Sequence, residues 1–121
     1  MDTSAAPGRR STKAPKTHQR RGRSLALQVL YEVDLTGHDW RRSMGVHAEE
    51  IGASARVTAF AETMVEGVLA SVERIDGLIA ENAPMWPVDQ LSPVDRNVLR
   101  LAIYELLPGS AAPPKWRSTK R

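Results

Sequence analysis

The chain reads as an all-α protein, and three observations carry that reading. Apolar residues recur at steps of three and four from Leu25 to Leu107, the period of helices that turn one face to a core. No stretch alternates apolar and polar residues as a half-buried strand would. Serines precede the clearest apolar runs, and glycine or proline closes several of them, as helix starts and stops do.

Residues 1–17 hold small, basic and proline side chains and no large apolar one beyond the initiator, too little to offset the entropy of ordering. Residues 1–19 are therefore expected to form a disordered basic arm. From Ser24, a stripe of Leu25, Ala26, Val29, Leu30 and Val33, widened by Leu27 and Tyr31, predicts a first helix that Gly37 ends. Its first turn is expected to reach back through Gln19, setting Arg20, Arg21 and Arg23 at the positive end of the helix dipole. That placement is unfavourable, and an incoming phosphate would relieve it.

Trp40, Met44, Val46 and Ile51 allow one short helix between His38 and Ala53. Ser54 opens a clear amphipathic run containing Val57, Phe60, Ala61, Met64, Val65, Val68 and Leu69. A further segment begins at Ser71, sets Val72, Ile75, Leu78 and Ile79 against Glu73, Arg74, Asp76 and Glu81, and ends at Asn82 and Pro84. In the connector that follows, Trp86 is expected to plug the core. Ser92 then starts the last helix: its hydroxyl can cap free backbone N–H groups, Pro93 fits the first helical position, and Asp95 stands at capping-box spacing. Val94, Val98, Leu99, Leu101, Ala102, Ile103, Leu106 and Leu107 give this helix so broad an apolar surface that it is expected to be central, covered on several sides.

At 121 residues there is room for one domain. No apolar run approaches the roughly 20 residues of a membrane span, and the N-terminus lacks the apolar stretch of a secretory signal, so the expected location is the cytoplasm. With no cysteine, disulfides, thiolate metal sites and a cysteine nucleophile are excluded. Charge is unevenly spread. Seven arginines and lysines face Asp2 alone through Arg23, whereas 13 acidic residues outweigh six arginines from Ser24 to Pro114. The sequence pI of about 9.7 thus belongs to two basic ends on an acidic body. A polyanion contact is expected near the arm, and the acidic body suits a basic protein partner. His18, His38 and His47 form no i, i+4 ligand pair. No phosphate-binding glycine loop or nucleophile elbow is present. Neither a metal, a cofactor nor catalysis is expected.

Three blocks resemble the NusB family. The first is Arg20-Arg21-Gly22-Arg23-Ser24-Leu25-Ala26-Leu27-Gln28-Val29-Leu30-Tyr31, similar to the family's arginine-rich opening and A-x-Q-x-L-Y helix. The second runs from Gly67-Val68-Leu69 to Ile75-Asp76-Gly77-Leu78-Ile79. The third, Leu91-Ser92-Pro93-Val94-Asp95-Arg96-Asn97-Val98-Leu99-Arg100-Leu101-Ala102-Ile103-Tyr104-Glu105-Leu106-Leu107, follows the family's L-x-x-V-D-R-A-I-L-R-L-A-x-Y-E-L signature nearly position for position.

The resemblance implies a helical bundle in two packed halves, a non-enzymatic antitermination factor. It would bind boxA-type single-stranded RNA of ribosomal RNA operons together with the ribosomal protein NusE, and through them reach the RNA polymerase elongation complex. Carried over by position, Arg20, Arg21 and Arg23 would contact RNA, while Tyr31, Asp89 and Asp95 would lie toward the NusE and RNA junction. Two other uses of such a domain stay open: the N-terminal RNA-binding module of a 16S rRNA cytosine methyltransferase, and a protein-only helical adaptor.

Plainer roles stand beside these. The arm can be a solubilising tail, Tyr31 and Tyr104 can be core residues with hydroxyls at the rim, Asp95 can serve the cap alone, and Arg100 with Glu105 can be a solvated ion pair. Beyond Pro113-Pro114-Lys115 the family continues with V-A-I-N-E-A and two further helices, whereas this chain reads Trp116-Arg117-Ser118-Thr119-Lys120-Arg121. Removing one nucleotide from codons for V-A-I-N-E-A yields W-R-S-T-K-R. Residues 116–121 are thus expected to be an out-of-frame tail on an incomplete domain, residues 20–115, that lacks the family's last two helices.

Overall fold

The computed structural model describes residues 7–109, with side chains from His18 onward. Five helices follow one another: α1 (Pro7–Thr36), α2 (Trp40–Glu50), α3 (Ala55–Ala70), α4 (Val72–Asn82) and α5 (Pro93–Leu106), with a 3-10 turn at Val88–Gln90 before the last. Every regular element among the described residues is helical.

Side-chain chemistry explains most boundaries. Ser54 Oγ accepts a hydrogen bond from the Val57 N–H at 3.1 Å, and Ser92 Oγ accepts one from the Asp95 N–H at 3.1 Å; each hydroxyl satisfies a donor that the helix start leaves free. Asp39 caps α2 in the same way through the Arg42 N–H. Gly37 stops α1 at a φ of 75°, a left-handed conformation that glycine adopts without steric cost.

The core is drawn from all five helices: Leu25, Ala26, Val29 and Leu30 of α1, Met44 of α2, Val57, Ala61, Met64, Val65 and Val68 of α3, Ile75 and Ile79 of α4, and Leu101 and Tyr104 of α5. Two glycines set the closest approaches. A Cβ at Gly22 would collide with the Phe60 ring of α3, and one at Gly67 would collide with the Tyr104 ring of α5. Leu25 and Met64 are buried completely, so truncating either to alanine is expected to cost about 2 to 5 kcal/mol.

The structure corrects several expectations. α1 begins at Pro7, so helix occupies much of the segment expected to be disordered over residues 1–19; residues 1–6, and the tail expected over residues 116–121, lie outside the described residues. Gly22 docks on Phe60 within the expected first turn, and once a turn is held, each added residue needs only its own hydrogen bond to extend the helix. Arg20, Arg21 and Arg23 therefore fall well inside the helix, away from its positive end.

The central helix is α1, which packs against α2, α3 and α5. α5 keeps Val94, Val98 and Leu106 exposed, and with α4 it lines an apolar cleft of about 310 Å³. Trp86 is 53% exposed rather than a core plug. The turn closed by the Trp86 N–H to the Ala83 carbonyl, between Pro84 and Pro87, carries it out of the bundle to the rim of that cleft.

Candidate nucleic-acid interface

The arginines of the N-terminal block are not equivalent. Arg20 is exposed and, among the described residues, its guanidinium has no polar partner. Arg21 is exposed too, with one Nη2 bond of 3.2 Å to the Ile51 carbonyl at the end of α2. That single tether aims the guanidinium fork and leaves most of its donors free. Arg23 is engaged. Its Nε and Nη2 donate to Glu105 at 2.9 to 3.1 Å across the α1–α5 junction, and its guanidinium lies 5.6 Å from the centroid of Phe60. The chain thus offers two available cations side by side and a third committed to the fold.

Beneath Arg20 and Arg21 lies a cleft of about 370 Å³, lined also by Ser24, Leu25, Gln28 and Ile51. Ser24 and Gln28 stand one and two turns along α1 from these arginines, and the end of α2 closes the far wall.

The other sequence-selected residues lie nearer the opposite end of α1. Tyr31 is 37% exposed on its outer face, partly clear of the core rather than within it, whereas Tyr104 is buried. Asp89 is exposed in the 3-10 turn and Asp95 is exposed in the first turn of α5. The capping box is half formed: the Asp95 N–H meets Ser92, but among the described residues the Asp95 carboxylate has no hydrogen-bond partner. The cap therefore accounts for Ser92 and leaves the Asp95 side chain available.

Arg96 joins the segments that carry these three residues. It reaches Asp34 of α1 through Nε at 2.6 Å and Nη2 at 3.1 Å, and its Nη1 meets the Val88 and Leu91 carbonyls. Asn97, fully buried, donates to the same Asp34 at 2.8 Å. Burial pushes the Asp34 carboxyl up, but the bonds from Arg96 and Asn97 and the charges of Arg96 and Arg100 outweigh it and hold the group below its ordinary value. The same bond raises Arg96. Arg100 grips Asp76 of α4 at 2.8 and 2.9 Å. The expected Arg100–Glu105 pair is not formed: each residue bridges to a different helix, because they point to opposite flanks of α5. These residues border a wider cleft of about 760 Å³ shared with Trp86 and Asp89.

A cluster missed from sequence ties α1 to α2. Glu32 accepts from His38 Nδ1 at 2.8 Å, His47 Nε2 at 2.6 Å and Ser43 Oγ at 3.0 Å. Hydrogen bonds from His38, His47 and Ser43, in that order, lower the Glu32 carboxyl to about 2, with burial opposing them. The two histidines, too far apart to pair on one helix, converge because α1 and α2 are antiparallel neighbours around Gly37.

Fold and site define a class: a small helical bundle that presents two exposed arginines on a helix face over a concave site. The NusB family model matches residues 20–116. The chain is 38% identical over 88 residues to the "Transcription antitermination protein NusB" of Desulforamulus reducens, covering 73% of this chain and 62% of that protein. It is 40% identical over 89 residues to the protein of that name from Heliobacterium modesticaldum, 74% of this chain and 43% of that one. A solved structure described as "Crystal Structure of a Plectonemic RNA Supercoil" holds a similar chain, with a TM-score of 0.68, 32% identity, and coverage of 74% of this chain and 66% of that one. The chain belongs to the NusB family. It spans less than two thirds of the length of the Desulforamulus and Heliobacterium relatives.

Proposed function

We propose that the chain is a non-enzymatic transcription antitermination factor of the cytoplasm that binds boxA-type single-stranded RNA of ribosomal RNA operons together with the ribosomal protein NusE. The observation that carries this reading is the pair Arg20 and Arg21, exposed and largely unpaired above a concave site. Guanidinium groups so placed suit phosphate forks and unstacked bases. The names of the relatives and the description of the solved neighbour point the same way. Arg23 enters this reading as the brace that holds α1 against α5 beside the site. Tyr31, Asp89 and Asp95 form the side toward NusE, a basic partner suiting the two exposed carboxylates; Arg96 keeps their segments together. Among the described residues no helix is long and apolar enough to cross a membrane.

Titrating boxA RNA and a scrambled RNA against the chain, with and without NusE, tests the reading. Salt-dependent binding, tighter for boxA and tighter again with NusE, is the expected result. Equal affinity for both RNAs, or indifference to NusE, would point instead to a protein-only adaptor or a non-specific cationic surface.

A further inference from the structure

The cleft under the arginines has more than charge. Arg21, Ser24, Leu25 and Gln28 follow one another at helical steps of three, one and three, so they form one stripe of α1 facing the last turn of α2. Ile51, 40% exposed, makes an apolar wall, and fully buried Leu25 lies beneath the cleft as part of the core. Ser24 and Gln28 are exposed, and among the described residues neither side chain has a hydrogen-bond partner. The volume of about 370 Å³ falls at the small end of the roughly 300 to 1,000 Å³ range of ligand sites.

An apolar wall, an unpartnered amide beside it and two cations at the mouth match three chemical features of a nucleotide. The base has apolar faces and a polar edge, and the phosphate is anionic. A glutamine amide both donates and accepts, which lets it pair in bidentate fashion with a base edge in a way no arginine or lysine can imitate. We infer that this cleft is a nucleobase pocket that takes one unstacked base of single-stranded RNA, with Gln28 as the residue that discriminates among bases. Arg20 and Arg21 hold the adjoining phosphate, and the Ile51 carbonyl positions Arg21 for it. This inference rests on the RNA-binding reading above and adds to it a single-base preference located on α1.

The test is a fluorescence-anisotropy titration of the full chain against boxA RNA and a set of variants carrying each of the other three bases at each position. The wild-type chain is expected to discriminate at one position by about tenfold or more, the worth of one bidentate contact. Gln28→Ala is expected to flatten the preference at that position alone, with the salt slope and the preferences elsewhere unchanged. Gln28→Glu, which keeps the acceptor but loses the amide donor, is expected to change which base is favoured there. Circular dichroism of the variants should superimpose, since Gln28 is exposed. Salt-dependent RNA binding with discrimination untouched by Gln28→Ala, or with affinity lowered equally for every variant, would overturn the pocket and leave the RNA-binding reading standing. Absence of RNA binding by the wild-type chain would overturn both.

Discussion

The middle of α1 and its C-terminal end use arginine in opposite ways. Near residue 20, Arg20 and Arg21 face solvent with most of their donors free. Near residue 34, Arg96 is spent on Asp34 and two carbonyls, and Arg100 on Asp76 and the flank of Asp34. Both regions would count as cationic in a composition table, yet only the first has charge left for a partner. The difference teaches that what an arginine does here is set by which carboxylate the fold brings to it. Arg23, 38% exposed, stands between the extremes, beside the binding face but bonded to Glu105.

That division of labour can be broken from the structural side first. Asp34→Ala would strand Arg96 and buried Asn97 without their shared acceptor, and we expect a loss of about 3 kcal/mol in urea unfolding, with RNA affinity per folded molecule little changed. An unaltered midpoint would mean the network contributes nothing. On the binding face, Arg20→Ala with Arg21→Ala should leave unfolding unchanged and lower RNA affinity on the order of tenfold, the salt slope falling by about 1.4 for two lost single-strand phosphate contacts. Arg23→Ala sharpens the contrast: about 1 kcal/mol of stability should go with the lost bidentate bond, while the salt slope stays near wild type. A slope change as large as that of Arg20→Ala would return Arg23 to the RNA.

Smaller effects separate cap from partner residue at the start of α5. Ser92→Ala should cost about 1 kcal/mol, and Asp95→Ala only a few tenths from the helix dipole; NusE affinity measured on both variants then shows whether the free carboxylate serves the partner. The mildest effect is in acid. Glu32 has a folded value of about 2 against an ordinary 4.5, so its contribution is fully present above 4.5 and drains away as pH falls toward 2. Glu32→Gln should flatten that part of a stability-against-pH curve.

Much of the bundle was legible because it is written in local chemistry. Ser54 and Ser92 cap as their spacing predicts, the apolar run of α3 buries the residues its period selects, and Gly37 stops α1. What escaped depends on partners far along the chain. Glu105 lies 82 residues from Arg23, and Arg96 lies 62 from Asp34. No periodicity reveals such pairs, so Arg23 read as a free cation and Arg100 as a partner of Glu105. The seating of α1 on α3 escaped for the same reason, since it depends on Phe60 receiving Gly22. Of the candidate site, the arginines were visible as a cluster, but the cleft needs the end of α2 to complete it. Gln28 appeared in the sequence only as part of a motif until Ile51 was placed opposite.

Gly67 has a reach beyond its own helix. Because it has no side chain, Tyr104 can lie directly on the backbone of α3, and the next residue, Glu105, is the one that grips Arg23 beside the cleft. The absent methyl group is thus the seat of the phenol ring. Adding a single carbon at Gly67 would evict the hydroxyl end of Tyr104 from that seat, and the ring would have to find another place beside the residue that braces Arg23.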